Sequence, residues 1–304
     1  MRLLVIRNRP LTFQFKKIGL IGTHVNPLVS ETVCQIYHLL KDKVTILIEE
    51  NTAHCMDEHK LPEPSKLSDI AENCDLAIVI GGDGNFLNTA RNLSTHADIP
   101  MIGVNRGKLG FLTDINPDEL ETRLMSVLEG HYTIEERFMI TAEIHSNDML
   151  SGKTYAFNEI LIAAGQKSRL FELDISIDGR HAFSQRSDGI IIATPTGSTA
   201  HALSAGGPIM HPSLNVLSLV PMFSHSLNSR PIVISADSII KIAIGDYNNP
   251  EPLLSFDGHS HLTLEAGNTI QVHKHQKKVK VLHPLDYDYY RSLRTKLHWS
   301  KMLF

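Results

Sequence analysis

The spacing of apolar residues changes once along this chain, at Gly130, and that change restricts its fold more than any other feature. Before Gly130, short apolar runs alternate with stretches of helical spacing. KKIGLIGT is followed by Val29, Val33, Ile36, Tyr37 and Leu40 at helical intervals, and then by the run VTILIEE. DLAIVI (75–80) and PMIGVN (100–105) are a third and a fourth such run, with Phe86, Leu87, Ala90 and Leu93 marking a helix face between them. Asn116 caps a further helix with Pro117 at its first position, Leu120, Leu124, Val127 and Leu128 form its face, and Gly130 stops it. Apolar strands joined through helices build a parallel sheet covered on both faces, the doubly wound α/β arrangement.

After Gly130 alternation takes over. RFMITAEI, TYAFNEILIA, SIIKIAI, and the pair TIQVHKH and KVKVL all carry strand spacing. FELDISIDGRHAF places Phe171, Leu173, Ile175 and Ile177 on one face and Asp178-Gly179 at a tight hairpin turn. The expectation is an α/β domain over residues 1–130, a mainly β, sandwich-like domain over 131–284, and an aromatic, basic tail over 285–304 that packs back on the first domain. A length of 304 residues agrees with two domains of about 100 to 200 residues each.

Composition removes several function classes. Lys and Arg total 29 against 33 Asp and Glu, a net charge of −4, so no global basic field disposes the chain toward nucleic acid. Cys34, Cys55 and Cys74 form no CxxC and no metal-ligand spacing, which fits a reducing cytoplasm. The amino-terminal run LLVI is too short for a signal-peptide core, and no run approaches the roughly 18 apolar residues of a membrane span. A membrane partner is therefore not expected. His273 and His275 lie on a lysine-rich alternating strand and read as a solvated face.

Three stretches could carry chemistry. Gly81-Gly82-Asp83-Gly84 follows a buried strand, where glycines let the backbone approach a phosphate and the next helix offers N–H groups. Asp83 is the odd member: it repels phosphate unless a cation intervenes or the carboxylate accepts a reacting proton. A glycine-rich turn with Asp83 as helix N-cap is the competing reading, at even odds on these residues alone. The stretch 188–212 is rich in Gly, Ser, Thr and Pro and presents hydroxyls and amides from Thr194 to Ser204, with a helix expected over Gly197–Gly206. Such a surface suits ribose and diphosphate. Asn158-Glu159 sets two polar side chains inside an apolar strand. Neither a GxGxxG fingerprint nor a Walker lysine is present.

GGDG (81–84), VNRGKLGFLTD (104–114), NE (158–159), SDGIIIATPTGSTAHALSAGGPI (187–209) and SRPIVI (229–234) together resemble the NAD kinases, those of Gram-negative bacteria especially. The resemblance implies a Rossmann-like first domain and transfer of the ATP γ-phosphoryl group to the 2′-hydroxyl of the adenosine ribose of NAD. It implies a divalent ion, Mg²⁺ or Mn²⁺, accompanying ATP, and a homo-oligomer, a tetramer. Asp83 matches the family's catalytic aspartate, with Gly84 beside it in the NAD site, Phe111 lining the pocket and Asn158 and Glu159 as the NE pair. Arg169, Arg186, Asp188, Thr199, Ala200, Ala202, Leu203 and Ser204 fall on nucleotide-contacting positions. His201 stands where the family has Tyr, and His259 where DGQ is commoner than DGH, which leaves the roles of both histidines open.

Overall fold

The computed structural model describes residues 13–22, 26–54, 62–106, 110–165, 171–224, 228–245 and 252–297, with the backbone alone for 259–261. The chain divides into two units, Met1–Glu135 with Lys280–Phe304, and Glu136–Val279.

The first unit is built from β1 (Lys17–Ile21), α1 (Pro27–Leu40), β2 (Thr45–Ile48), α2 (Glu50–Ala53), α3 (Leu67–Asn73), β3 (Leu76–Gly81), α4 (Asp83–His96), β4 (Met101–Asn105) and α5 (Leu120–Leu128). Its strands are parallel in the order β2-β1-β3-β4. The chain thus builds outward in both directions from β1 and β3, and the crevice at their carboxyl ends is a topological switch point. Every residue of β3 is buried, the reason it reads as an unbroken apolar run. Ile18, Leu20, Ile36, Ile48, Ile78, Ile80 and Leu124 form the core, each burial contributing roughly 1.5 to 3 kcal/mol. The helix expected from Asn116 begins instead as a 3₁₀ turn, Pro117–Glu119, and the Asn116 side chain makes no capping bond, so the α-helix starts at Leu120.

The second unit is mainly β. Its elements are β5 (Tyr132–Ser146), β6 (Met149–Ala156), β7 (Glu159–Ala163), β8 (Phe171–Ile177), β9 (Arg180–Ser187), β10 (Gly189–Ala193), α6 (His201–Ser204), β11 (Val216–Met222), β12 (Ile232–Ser235), β13 (Ile240–Ile244), β14 (Leu253–Phe256), β15 (His259–Thr263) and β16 (Thr269–Pro284). One sheet runs β12-β11-β10-β7-β14-β15, the other β16-β13-β8-β9, with β5 pairing β16 and β6. Ile160, Ile162, Ile190 and Ile192 of the first sheet share a core with Leu173, Ile175, Ile240 and Ile242 of the second, the packing of a sandwich. Asp178 and Gly179, at φ 52° and 75°, make the hairpin turn between β8 and β9.

Three sequence expectations are corrected here. TYAFNEILIA is two strands, β6 and β7, broken at Phe157-Asn158. TIQVHKH and KVKVL are one strand, β16, because Gln276-Lys277 between them holds no turn residue. Gly197–Gly206 is a 3₁₀ turn, Gly197–Thr199, followed by the single turn α6, since Ala200 at φ −103° and ψ −133° leaves the helical region between them.

The tail returns to the first unit. Val281 at the end of β16 pairs in parallel with Met101, and α7 (Tyr289–Leu297) buries Tyr289, Ser292 and Leu293. Arg123 closes an ion pair with Asp286 at 2.6 Å. The buried His283 ring bonds Asp114 through Nδ1 and Glu135 through Nε2, and stacks on Tyr287 at 3.9 Å. Asp114 is therefore a structural partner of the tail. Among the described residues no helix is long and apolar enough to cross a membrane.

Candidate active site

Gly81 ends β3 at φ 146°, a backbone conformation that glycine alone adopts readily. Gly82 is the N-cap of α4 and Asp83 its first helical residue, so Asp83 does not cap the helix. Its carboxylate reaches instead to the loop after β4. Phe111 N–H donates to Oδ2 at 2.8 Å, Leu112 N–H to Oδ1 at 3.0 Å, and the Thr113 hydroxyl to Oδ1 at 3.4 Å. Gly110 permits this approach, because a Cβ there would stand 2.0 Å from Asp83 Oδ1. Lys296 of α7 donates to Oδ2 at 2.9 Å, with its ammonium 4.1 Å from the centroid of the Phe111 ring. Around Gly82 and Gly84 the situation is opposite: no atom of the described residues lies within 4 Å of where a Cβ would stand. The chain's own packing does not demand glycine at either position, and both leave room on the surface of the loop.

In the second unit a different carboxylate organises the site. Asp257, 6% exposed, takes the N–H groups of Phe157 (2.9 Å), Asn158 (2.7 Å) and Glu159 (3.2 Å). These bonds make the bend between β6 and β7 and end the strand pairing there. Thr194 secures the same bend from the other side, its hydroxyl donating to the Phe157 carbonyl at 2.6 Å and its N–H to that of Asn158 at 2.9 Å. Gly197 is pressed against Asn158, where a Cβ would meet the Asn158 carbonyl oxygen at 2.1 Å.

The Glu159 side chain is 2% exposed. His201 Nδ1 lies 2.6 Å from its Oε1, and its buried Oε2 has no hydrogen-bond partner among the described residues. Burial pushes the Glu159 carboxyl above the usual carboxylate range, with the His201 contact opposing and the Asp257 charge adding to the rise. The His201 ring itself is 60% exposed and rests on the turn at Gly258.

Residues 18–132 match the ATP-NAD kinase N-terminal domain and residues 157–284 the ATP-NAD kinase C-terminal domain. The chain belongs to the NAD kinase family. The NAD kinase of Pseudomonas syringae pv. syringae is 45% identical over 291 residues, covering 95% of this chain and 98% of that one. Among solved structures, yeast NADH kinase complexed with NADH superposes with a TM-score of 0.86 at 25% identity, covering 95% of this chain and 89% of that one. An NAD kinase from Archaeoglobus fulgidus in complex with ATP shares the fold, with a TM-score of 0.72 at 23% identity and coverage of 93% and 98%.

Against the NAD kinase resemblance, Asp83, Gly84 and Phe111 stand together in the first unit. Asn158, Glu159, Thr199, Ala200, His201, Ala202, Leu203 and Ser204 occupy the 157–159 bend and the adjoining turns of the second. Ala202 is buried and Ser204 exposed. Asp188 is not beside them. Gly189, which follows it, pairs with Ala163, whereas Ala193 pairs with Glu159, so Asp188 and the exposed Arg186 lie at the other end of β10, about 13 Å along the strand. Arg169 lies outside the described residues, as does the side chain of His259, whose backbone opens β15.

Four residues of these sites were missed in the sequence. Asp257 stood in DGH, where only the histidine drew attention. Gly110 and Thr113 stood in GFLTD beside Phe111. Lys296 is one of several cations in the tail, and nothing in its spacing ties it to a loop some 200 residues earlier.

Proposed function

We propose that the chain transfers the γ-phosphoryl group of ATP to the 2′-hydroxyl of the adenosine ribose of NAD, giving NADP and ADP. The carrying observation is Asp83, a carboxylate set at the switch point beside two glycines that leave open space and oriented by the backbone N–H groups of Phe111 and Leu112. Phosphoryl transfer asks the protein chiefly for position and charge compensation. Asp83 orients the ribose hydroxyl and receives its proton as the new O–P bond forms and the bond from Pγ to the β,γ-bridging oxygen breaks toward ADP.

The second unit holds the dinucleotide. Asn158 and Glu159 offer an amide and a carboxyl at the bend, and the turns from Thr199 to Ser204 offer hydroxyl and backbone groups for ribose and diphosphate. The unsatisfied Glu159 Oε2 is an acceptor that a ribose hydroxyl of NAD completes. A divalent ion, Mg²⁺ or Mn²⁺, would be carried in on ATP with its waters, since Mg²⁺ dehydrates reluctantly and binds largely through substrate phosphates. When bound, that ion would neutralise triphosphate charge. The edge strand β12 exposes Val233 at 48% and Ile232 at 36%, an edge that a second copy could cover; the family resemblance implies a tetramer, which sedimentation equilibrium checks.

The test is to incubate purified protein with ATP, Mg²⁺ and NAD and offer the product to an NADP-specific dehydrogenase. Reducible product is expected. Its absence, with phosphorylation of diacylglycerol in the same buffer, would convert the reading to a lipid kinase sharing the GGDG loop.

A further inference from the structure

Lys296 is the one described cation hydrogen-bonded to Asp83, and it comes from the last helix of the chain. A purely structural clasp is the simplest account. α7 is already docked through Tyr289, Ser292 and Leu293, however, so the helix does not depend on this ion pair for its place. Two further observations give the lysine a larger task.

First, the Asp83 carboxylate is saturated. Each oxygen has about two acceptor positions. Oδ1 receives Leu112 N–H and the Thr113 hydroxyl, and Oδ2 receives Phe111 N–H and Lys296. A substrate hydroxyl that is to give its proton to Asp83 must displace a donor. The backbone donors yield only if the 110–114 loop moves, and that loop is fitted against Asp83 through Gly110. Lys296 is an ammonium on a flexible stem, and it is the donor on Oδ2 that can leave without moving backbone. Second, the ammonium has a second anchor. It lies 4.1 Å from the Phe111 ring centroid, where the ring face attracts a cation, so leaving Oδ2 does not send it into solvent.

The GGDG loop has no lysine of its own, and a side-chain cation beside the transferring phosphoryl group would add to the charge compensation a metal ion on ATP provides. We propose that Lys296 is a catalytic residue. As the ribose hydroxyl takes its place on Asp83 Oδ2, the Lys296 ammonium turns its N–H groups onto the oxygens of the transferring phosphoryl group. The hydroxyl oxygen then bonds to phosphorus, its proton passes to Asp83, and ADP departs with the electrons of the broken P–O bond. Lys296 remains an ammonium throughout and undergoes no bond change. This assignment rests on the NAD kinase reaction proposed above.

The experiment compares wild type, Lys296→Met, Lys296→Gln and Lys296→Arg in the full chain, with kcat and KM measured for ATP and NAD and melting temperatures recorded. Wild-type formation of NADP is the control that isolates the general reading, and without it both the kinase assignment and the role of Lys296 fall. With it in hand, Lys296→Met and Lys296→Gln should lose about 10²-fold in kcat, the scale for removing one donor from a developing charge, while KM for NAD stays within about twofold. Lys296→Arg, or ethylammonium added to the Met variant, should restore about tenfold or more of that loss, since either supplies a cation for phosphoryl oxygens. A structural clasp is not repaired by a free amine. Using two neutral variants keeps the measurement available if one is too unstable to assay. The proposal is overturned if kcat in the neutral variants stays within about threefold of wild type, or if neither arginine nor ethylammonium raises it.

Discussion

Asp83 and Asp257 perform the same operation in two different settings. Each gathers backbone N–H groups from a separate loop: Asp83 those of Phe111 and Leu112, Asp257 those of Phe157, Asn158 and Glu159. Asp257 is buried, and through these three backbone N–H groups it fixes a bend. The side chain of Asp83 is 28% exposed, beside glycines that leave open space, and one of its donors is a lysine side chain. The same carboxylate chemistry therefore yields a structural pin where access is closed and, on the kinase reading proposed above, a reactive group where access is kept and one partner can be exchanged.

The sharpest way to break this comparison is to neutralise each carboxylate. Asp83→Asn should keep the melting temperature near that of wild type and lose at least about 10²-fold in kcat, the scale for a positioned proton acceptor. Unchanged turnover would make Asp83 a second structural pin. Asp257→Ala should behave in the reverse manner. It leaves three N–H groups without their acceptor in a buried bend, and should destabilise by about 3 kcal/mol in denaturant unfolding, with NAD binding weakened only as the bend loosens. A fully stable Asp257→Ala protein with impaired turnover would place chemistry at Asp257.

These two residues also mark how far the sequence could be read. The parallel strands β1 to β4 were legible because strands buried on both faces must be apolar throughout, and GGDG stood out because a carboxylate among phosphate-loop glycines conflicts with simple phosphate binding. The break between β6 and β7 was not legible. Local propensity in TYAFNEILIA favours one strand, and the bonds that bend it come from Asp257, about 100 residues later in the chain. Lys296 was hidden for the same reason. Its partners Asp83 and Phe111 are brought near only by the return of the tail, and a long-range ion pair leaves no periodic trace.

Arg186→Gly sharpens the comparison within the second unit. Arg186 is exposed on β9, and the Glu159 bend lies at the far end of β10. If Arg186 serves the diphosphate, its removal should raise KM for NAD about fivefold, equivalent to ~1 kcal/mol for one charged hydrogen bond, and shift the preference between NAD and NADH. Equal KM values for both dinucleotides before and after the change would confine the nucleotide site to the Glu159 end of the strand.

The smallest effect concerns Glu159, which has one buried oxygen without a hydrogen-bond partner among the described residues. Burial raises its carboxyl in the folded chain above the unfolded value of about 4.3. Below the unfolded value both states hold the proton and burial costs little. As pH climbs past it, the unfolded chain releases its proton while the folded one retains it, so the folded state binds more protons and stability falls until pH passes the folded value. Gln cannot ionise and escapes this loss. Glu159→Gln should therefore melt close to wild type near about pH 5 and exceed it by roughly 1 to 3 °C near about pH 8, measured by calorimetry without ligand. The His201 contact pulls the other way, because it favours the ionised carboxyl and is weakened in the amide. A Gln variant that melts lower at pH 8 than at pH 5, relative to wild type, would mean that the contact with His201 outweighs burial at Glu159.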